Sequence, residues 1–259
     1  MKAPSWVRIP LPPPRFAPSE VLRLTVVMGV DGCRGGWCAV TLRIDDGPLR
    51  ISPPFVNLSF RDILNADADF ICIDIPIGLL EGHGRRSCDV EARNILGPRW
   101  PAVFDPPCRQ ALGQPTHQAA SSINRAVTGR GLAIQAYCIS NKIHEVDSLM
   151  TQELQTPVRE LHPELCFYAL KGEQPVTAQK RRVAGREERW CLLRRVLPLL
   201  PKEPPRRREL PGGCAPDDYI DALVAAWTAL CLARHIARHI PEEPPIDAKG
   251  LRMEMWLPA

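Results

Sequence analysis

Leu24-Thr25-Val26-Val27-Met28-Gly29-Val30-Asp31-Gly32-Cys33-Arg34-Gly35-Gly36 is the stretch on which the fold turns. Its first seven residues are nearly all apolar, as in a strand buried on both faces. Asp31 to Gly36 reads as a glycine-rich turn closing that strand. Beyond it Cys38, Val40, Leu42 and Ile44 alternate with Ala39, Thr41 and Arg43, which predicts a half-buried strand. Residues 49–58 supply a third strand, demoted to an edge by Pro53-Pro54. The domain thus opens as an antiparallel meander.

Further along, Phe70-Ile71-Cys72-Ile73-Asp74-Ile75-Pro76 is a second buried strand that Pro76 ends. Residues 157–163 read as another strand. Helical patterns cover 60–66, 88–96, 116–127, 132–150 and 189–197. A last long helix starts near Pro216, a favoured first-turn residue. Its apolar stripe is Ile220, Leu223, Val224, Trp227, Leu230 and Cys231.

The chain has 259 residues, 45% apolar and 24% charged. That suits one large or two small soluble domains and excludes a coiled coil or a wholly disordered chain. The net charge of +4 names no partner by itself. Ten scattered cysteines without a C-x-x-C pair exclude a zinc ribbon and predict a reducing, cytoplasmic setting. No signal-peptide pattern is present, and the longest apolar run, 222–233, is too short to span a bilayer. Proline is about twice as frequent as usual. Fifteen of the 28 prolines fall in 1–20, 198–216 and 241–245. Residues 1–25 are expected to form a disordered arm, and 26–259 a single domain.

Carboxylates stand where such a sheet would use them. Asp31 ends the first buried strand and Asp74 the second, and a carboxylate in such a run is costly unless paired or metal-bound. Glu164 follows the strand at 157–163. Asp218 and Asp221 share a face in the first turns of the final helix. Oxygen-only ligands suit Mg²⁺ or Mn²⁺, and two ions ~4 Å apart can activate water and stabilise a leaving oxygen. Asp31-Gly32 also fits a hairpin turn, and the acids at 217–218 also suit a helix dipole.

Gly29-Val30-Asp31-Gly32-Cys33-Arg34-Gly35-Gly36-Trp37 resembles the opening motif of the predicted RNase H-like nucleases, domain of unknown function 429. The likeness continues through Ile73-Asp74-Ile75-Pro76-Ile77-Gly78-Leu79, Arg86-Ser87-Cys88-Asp89, Ala92-Arg93, Arg109, Gln135-Ala136-Tyr137, Lys142-Ile143, Glu160-Leu161-His162-Pro163-Glu164 and Asp217-Asp218-Tyr219-Ile220-Asp221-Ala222-Leu223. It implies an RNase H-like α/β fold: a mixed five-stranded sheet, its first three strands antiparallel, helices on both faces, and a helical insertion at about 85–150. In the wider superfamily, which includes Holliday-junction resolvases, acids of the first strand, the fourth strand and the last helix hold two metal ions. Those roles carry over to Asp31, Asp74 and Asp221, with Asp218 as a second helix acid and Glu164 as a further member. The resemblance implies a nuclease using two Mg²⁺ or Mn²⁺ ions on nucleic acid. Family members begin near Met28, so either residues 1–25 are an arm or translation starts at Met28.

Arg34, Arg86, Arg93, Arg109 and Lys142 lie in these motifs and are expected to contact phosphate, with His162 beside them. The basic run 180–195 is read as a solvated helix face. His235 and His239 are spaced i, i+4 at the end of the last helix and are read as dipole partners. Two other functions fit the pattern: an ATP-dependent enzyme of the actin and sugar-kinase superfamily, and a non-catalytic binding module. The first needs a second glycine-rich phosphate loop, and Gly212-Gly213, the one later doublet, reads as a linker.

Overall fold

The computed structural model describes residues 24–45 and 47–259. The arm expected over 1–25 lies outside the described residues up to 23. Its boundary is corrected, because Thr25 already pairs with Ile44 in the first ladder. Strands β1 (Thr25–Cys33) and β2 (Gly36–Ile44) form an antiparallel hairpin. Asp31 lies inside β1 opposite Cys38, and the turn is Arg34-Gly35. The reading of Asp31-Gly32 as the turn is therefore corrected. Gly36 takes φ +133, and a Cβ there would stand 2.1 Å from the Asn57 carbonyl oxygen, so only glycine fits.

The half-buried reading of β2 is also corrected. Ala39 and Thr41 are buried like their alternating neighbours, because helices cover both faces of the sheet. The expected edge strand splits at Pro53-Pro54 into β3 (Arg50–Ile51) and β4 (Phe55–Asn57), both antiparallel to β2. Helix α1 (Phe60–Leu64) follows, capped by Ser59, whose hydroxyl accepts from the Asp62 N–H. Strand β5 (Phe70–Ile73) runs parallel to β1. Then come α2 (Ser87–Leu96), α3 (His117–Thr128), α4 (Ile134–Cys138) and α5 (Ser140–Leu149). The single helix expected over 132–150 breaks at Ile139, whose φ −104 and ψ 3 are not helical.

Strand β6 (Val158–Glu160) pairs parallel with β5. Helix α6 (Pro163–Leu170) was not expected. Pro163 looks like a strand terminator, yet it occupies the first helical turn, where its missing N–H costs nothing. Helix α7 (Val183–Val196) starts six residues before the expected 189. Helix α8 (Pro216–Ala233) begins where Pro216 predicts. Strands β7 (Ala237–Ile240) and β8 (Met255–Pro258) form an unexpected second sheet. His235 and His239 are thus not on the last helix: His235 has φ +55 after its end, and His239 lies on β7 with its ring 4.8 Å from that of Trp256.

The main sheet has the order β3-β2-β1-β5-β6, with β4 beside β2. It is mixed: antiparallel from β1 outward to β3 and β4, parallel from β1 to β6. Alternation along β1 sends Val27 and Cys33 to one face and Met28 and Val30 to the other. The first face packs on α8, buried almost all round rather than along one stripe. The second packs on α1 and α5 through Phe60, Ile63, Ile143 and Val146. Each buried Leu, Ile or Val there contributes about 1.5–3 kcal/mol. Among the described residues no helix is long and apolar enough to cross a membrane.

Candidate metal centre

Register brings the first two acids together. Val30 pairs with Ile73 across the parallel ladder, and the Asp74 N–H donates to the Val30 carbonyl at 3.1 Å. Asp31, inside β1, and Asp74, just past the end of β5, therefore stand level on neighbouring strands. Asp31 lies two residues beyond Gly29 on β1, so both face α8. A Cβ on Gly29 would lie 2.0 Å from the Ala226 nitrogen and 2.1 Å from the Ala222 oxygen. Glycine alone permits this approach of helix backbone to strand backbone. The approach delivers Asp221, on the first turns of α8, to the same point. One carboxylate oxygen from each of Asp31, Asp74 and Asp221 lies within 4.8 Å of the others.

Asp31 and Asp221 are buried and Asp74 half-buried. Lys180, in the loop before α7, donates to Asp221 Oδ2 at 2.6 Å. Asp221 Oδ1 is buried and, among the described residues, has no hydrogen-bond partner. Burial, followed by the charges of Asp74 and Asp221, pushes the Asp31 carboxyl well above the usual carboxylate range, while Lys180 pulls it down. Burial also raises Asp74, opposed by His162 and Lys180. It pushes Asp221 up to about 7 against Lys180. Asp221, more than any other group, holds the Lys180 ammonium above its ordinary range despite burial. Three mutually repelling carboxylates with one ammonium leave room in the charge balance for a bound cation.

The other expected acids stand outside this triangle. Asp218 Oδ2 accepts from the Ala215 N–H at 2.8 Å and so caps α8. Glu164, in the first turn of α6, accepts twice from the Arg189 guanidinium, at 2.7 and 2.8 Å. Arg181, Arg182 and Arg195 are exposed, as the reading of 180–195 as a solvated face expects. Arg189 and Lys180 depart from it: Arg189 is buried, and both serve acids far away in sequence. No local periodicity marks these two as site cations.

The expected phosphate contacts divide sharply. Arg34 is exposed in the hairpin turn. It lines a cleft with Arg181, Arg186, Arg207, Asp217 and Asp218, and Gly32 and Gly213 shape its floor. Among the described residues none of these four arginines forms an ion pair. Gly212-Gly213 is no free linker: a Cβ on Gly213 would stand 2.5 Å from Gly35 Cα, so the doublet packs on the hairpin turn. Lys142 lies under the hairpin, donating to the Gly36 carbonyl with its ammonium 4.3 Å from the Trp37 ring centre. His162 caps α6, its Nδ1 accepting from the Glu164 N–H at 3.2 Å.

Arg86, Arg93 and Arg109 are engaged elsewhere. Arg93 donates to the Val103 carbonyl and to Asp105. Arg109 bridges Glu81, Asp147 and Asp247. Arg86 is fully buried and donates to Glu160 Oε2 at 2.5 Å and to the Ile77 carbonyl at 3.2 Å. It belongs to a second cluster, in which Cys88, Asp89 and Glu160 also lie within 4.8 Å of one another. Burial pushes Glu160 up to about 8, against the pull of Arg86.

No curated protein and no solved structure matches this chain. A family model does: the one described as protein of unknown function (DUF429) matches residues 29–246, and the chain belongs to that family.

Proposed function

We propose that this chain is an RNase H-like nuclease that hydrolyses phosphodiester bonds of RNA or DNA with a divalent metal ion. The observation that carries the reading is the convergence of Asp31, Asp74 and Asp221, with Asp221 Oδ1 buried and, among the described residues, unpartnered. An oxygen-only donor set with raised carboxyls fits Mg²⁺ or Mn²⁺, which relieves the repulsion among the acids. The strand order, with β3 and β4 together as its third strand, supports the fold assignment.

Asp31, Asp74 and Asp221 would hold the metal, which supplies Lewis-acid polarisation of a phosphoryl oxygen and a more acidic water. The hairpin and α8 fix two of these acids on rigid elements, so they need little reorganisation. Lys180 keeps Asp221 oriented by holding its Oδ2. The four arginines of the adjoining cleft, none in an ion pair among the described residues, suit the phosphates of a polyanion, and Arg34 stands in the hairpin turn at the end of the strand that carries Asp31. Asp217 and Asp218 keep that cleft from being uniformly positive.

Labelled single-stranded and duplex RNA and DNA, incubated with the full chain and Mg²⁺ or Mn²⁺, test the reading. Cleavage is expected, and it is expected to disappear in Asp31→Asn and Asp74→Asn. Equal cutting by both variants sinks the assignment, and ATP turnover without nucleic acid would move it to the kinase-like superfamily.

A further inference from the structure

We propose that Lys180 takes the place of a second metal ion, so that the site holds one divalent cation beside a fixed ammonium. The inference rests on the metal-dependent reading above and specifies its ion count.

Two ions ~4 Å apart need more oxygen ligands than one triangle provides. The other acids a second ion could use, Asp218 and Glu164, stand outside the 4.8 Å triangle, Glu164 with both oxygens engaged and Asp218 with one. Asp218 caps its own helix through the Ala215 N–H. Glu164 is gripped through both oxygens by buried Arg189, with Arg99 a further 3.6 Å away. Asp221 has likewise given Oδ2 to Lys180 and retains only Oδ1. What remains is Oδ1 of Asp221 with the carboxylates of Asp31 and Asp74, and one oxygen from each of these three residues lies within 4.8 Å of the others. Magnesium holds oxygens at about 2.0–2.1 Å, so opposite ligands stand about 4 Å apart, and this triangle closes on one ion.

Charge gives the same count. Three ionised carboxylates less one ammonium leave two negative charges, which a single divalent ion neutralises. A second ion would leave the buried site positive by two. Lys180 comes from a loop 41 residues away from Asp221 in sequence, and the residue is half-buried. It has no lone pair to spare while it stays protonated, so it acts by charge and hydrogen bonding alone.

The test is a Mn²⁺ titration of the chelator-stripped full chain, with free ion followed by electron paramagnetic resonance. Wild type is expected to bind one Mn²⁺ per chain, and Asp31→Asn at least about tenfold more weakly. Lys180→Met is expected to admit a second Mn²⁺ or to bind the first at least about tenfold more tightly. Lys180→Arg keeps the charge and should keep the count at one. Two ions in wild type, or an unchanged number and affinity in Lys180→Met, overturns the inference and leaves the metal-dependent reading standing. No Mn²⁺ binding by wild type at millimolar ion removes that reading and the inference together. The wild-type count decides even if Lys180→Met does not fold.

Discussion

The triad at Asp31, Asp74 and Asp221 and the cluster at Cys88, Asp89 and Glu160 are nearly alike in burial. Each gathers three ligand-type side chains within 4.8 Å. They differ in the cation the chain itself provides and in what lies outside. The Cys88 cluster holds two carboxyls and a fully buried guanidinium, and the Ile77 N–H also donates to Glu160 at 2.6 Å. The triad holds three carboxyls and a lysine that contacts only one of them, and it adjoins an arginine-lined cleft. Burial of acids is common to both, so burial alone does not mark a site. The deficit of positive charge does.

Four experiments press on that contrast. Arg86→Met should be the most damaging, costing about 3–5 kcal/mol, because it strands Glu160 and Asp89 without their cation. Urea unfolding would show it, and Mn²⁺ should not restore the loss. Asp31→Asn should act in the opposite direction, raising metal-free stability by about 1 kcal/mol or more, since it removes one of three repelling charges. If both variants destabilise alike, the two clusters are the same kind of feature.

The third experiment is pH. A carboxyl raised in the folded state binds more protons there than in the unfolded chain, so stability falls as pH rises. The metal-free protein should be most stable near about pH 4–5 and weaken steadily through the values of Asp221, about 7, and Glu160, about 8. Urea midpoints at several pH values measure this. Mn²⁺ should flatten the triad's share of the slope, and Glu160→Gln the other cluster's share. The smallest effect on stability belongs to Arg34→Ala and Arg207→Ala, within about 0.5 kcal/mol. Each should nevertheless lower the salt dependence of nucleic-acid binding by about 0.7–0.9 in log–log slope. Unchanged slopes in both would detach the cleft from the site.

Much of this was legible in the residues. The apolar run into Asp31, the strand ending at Asp74 and the helix from Pro216 all follow from period and punctuation. The three acids that meet were among the candidates, but the family resemblance, not the period, set them apart from Glu164 and Asp218. What was hidden is pairing across distance. Lys180 to Asp221, Arg189 to Glu164 and Arg86 to Glu160 span 41, 25 and 74 residues, and no local pattern separates a buried arginine from a solvated one. Helix α6 was masked by Pro163, which can end a strand or begin a helix. The inner face of β2 was masked by Ala39 and Thr41, a small residue and a polar one that resemble an outer face until α1 and α5 cover them.

Gly29 has a consequence beyond packing. Because α8 meets β1 through main-chain atoms, the spacing between Asp31 and Asp221 is gauged by peptide groups and not by the bulk of any side chain. Core positions can exchange one hydrophobe for another of similar volume while that gauge stays fixed. The centre is calibrated like an instrument whose scale is engraved on the frame, and one added methyl at Gly29 would shift its zero.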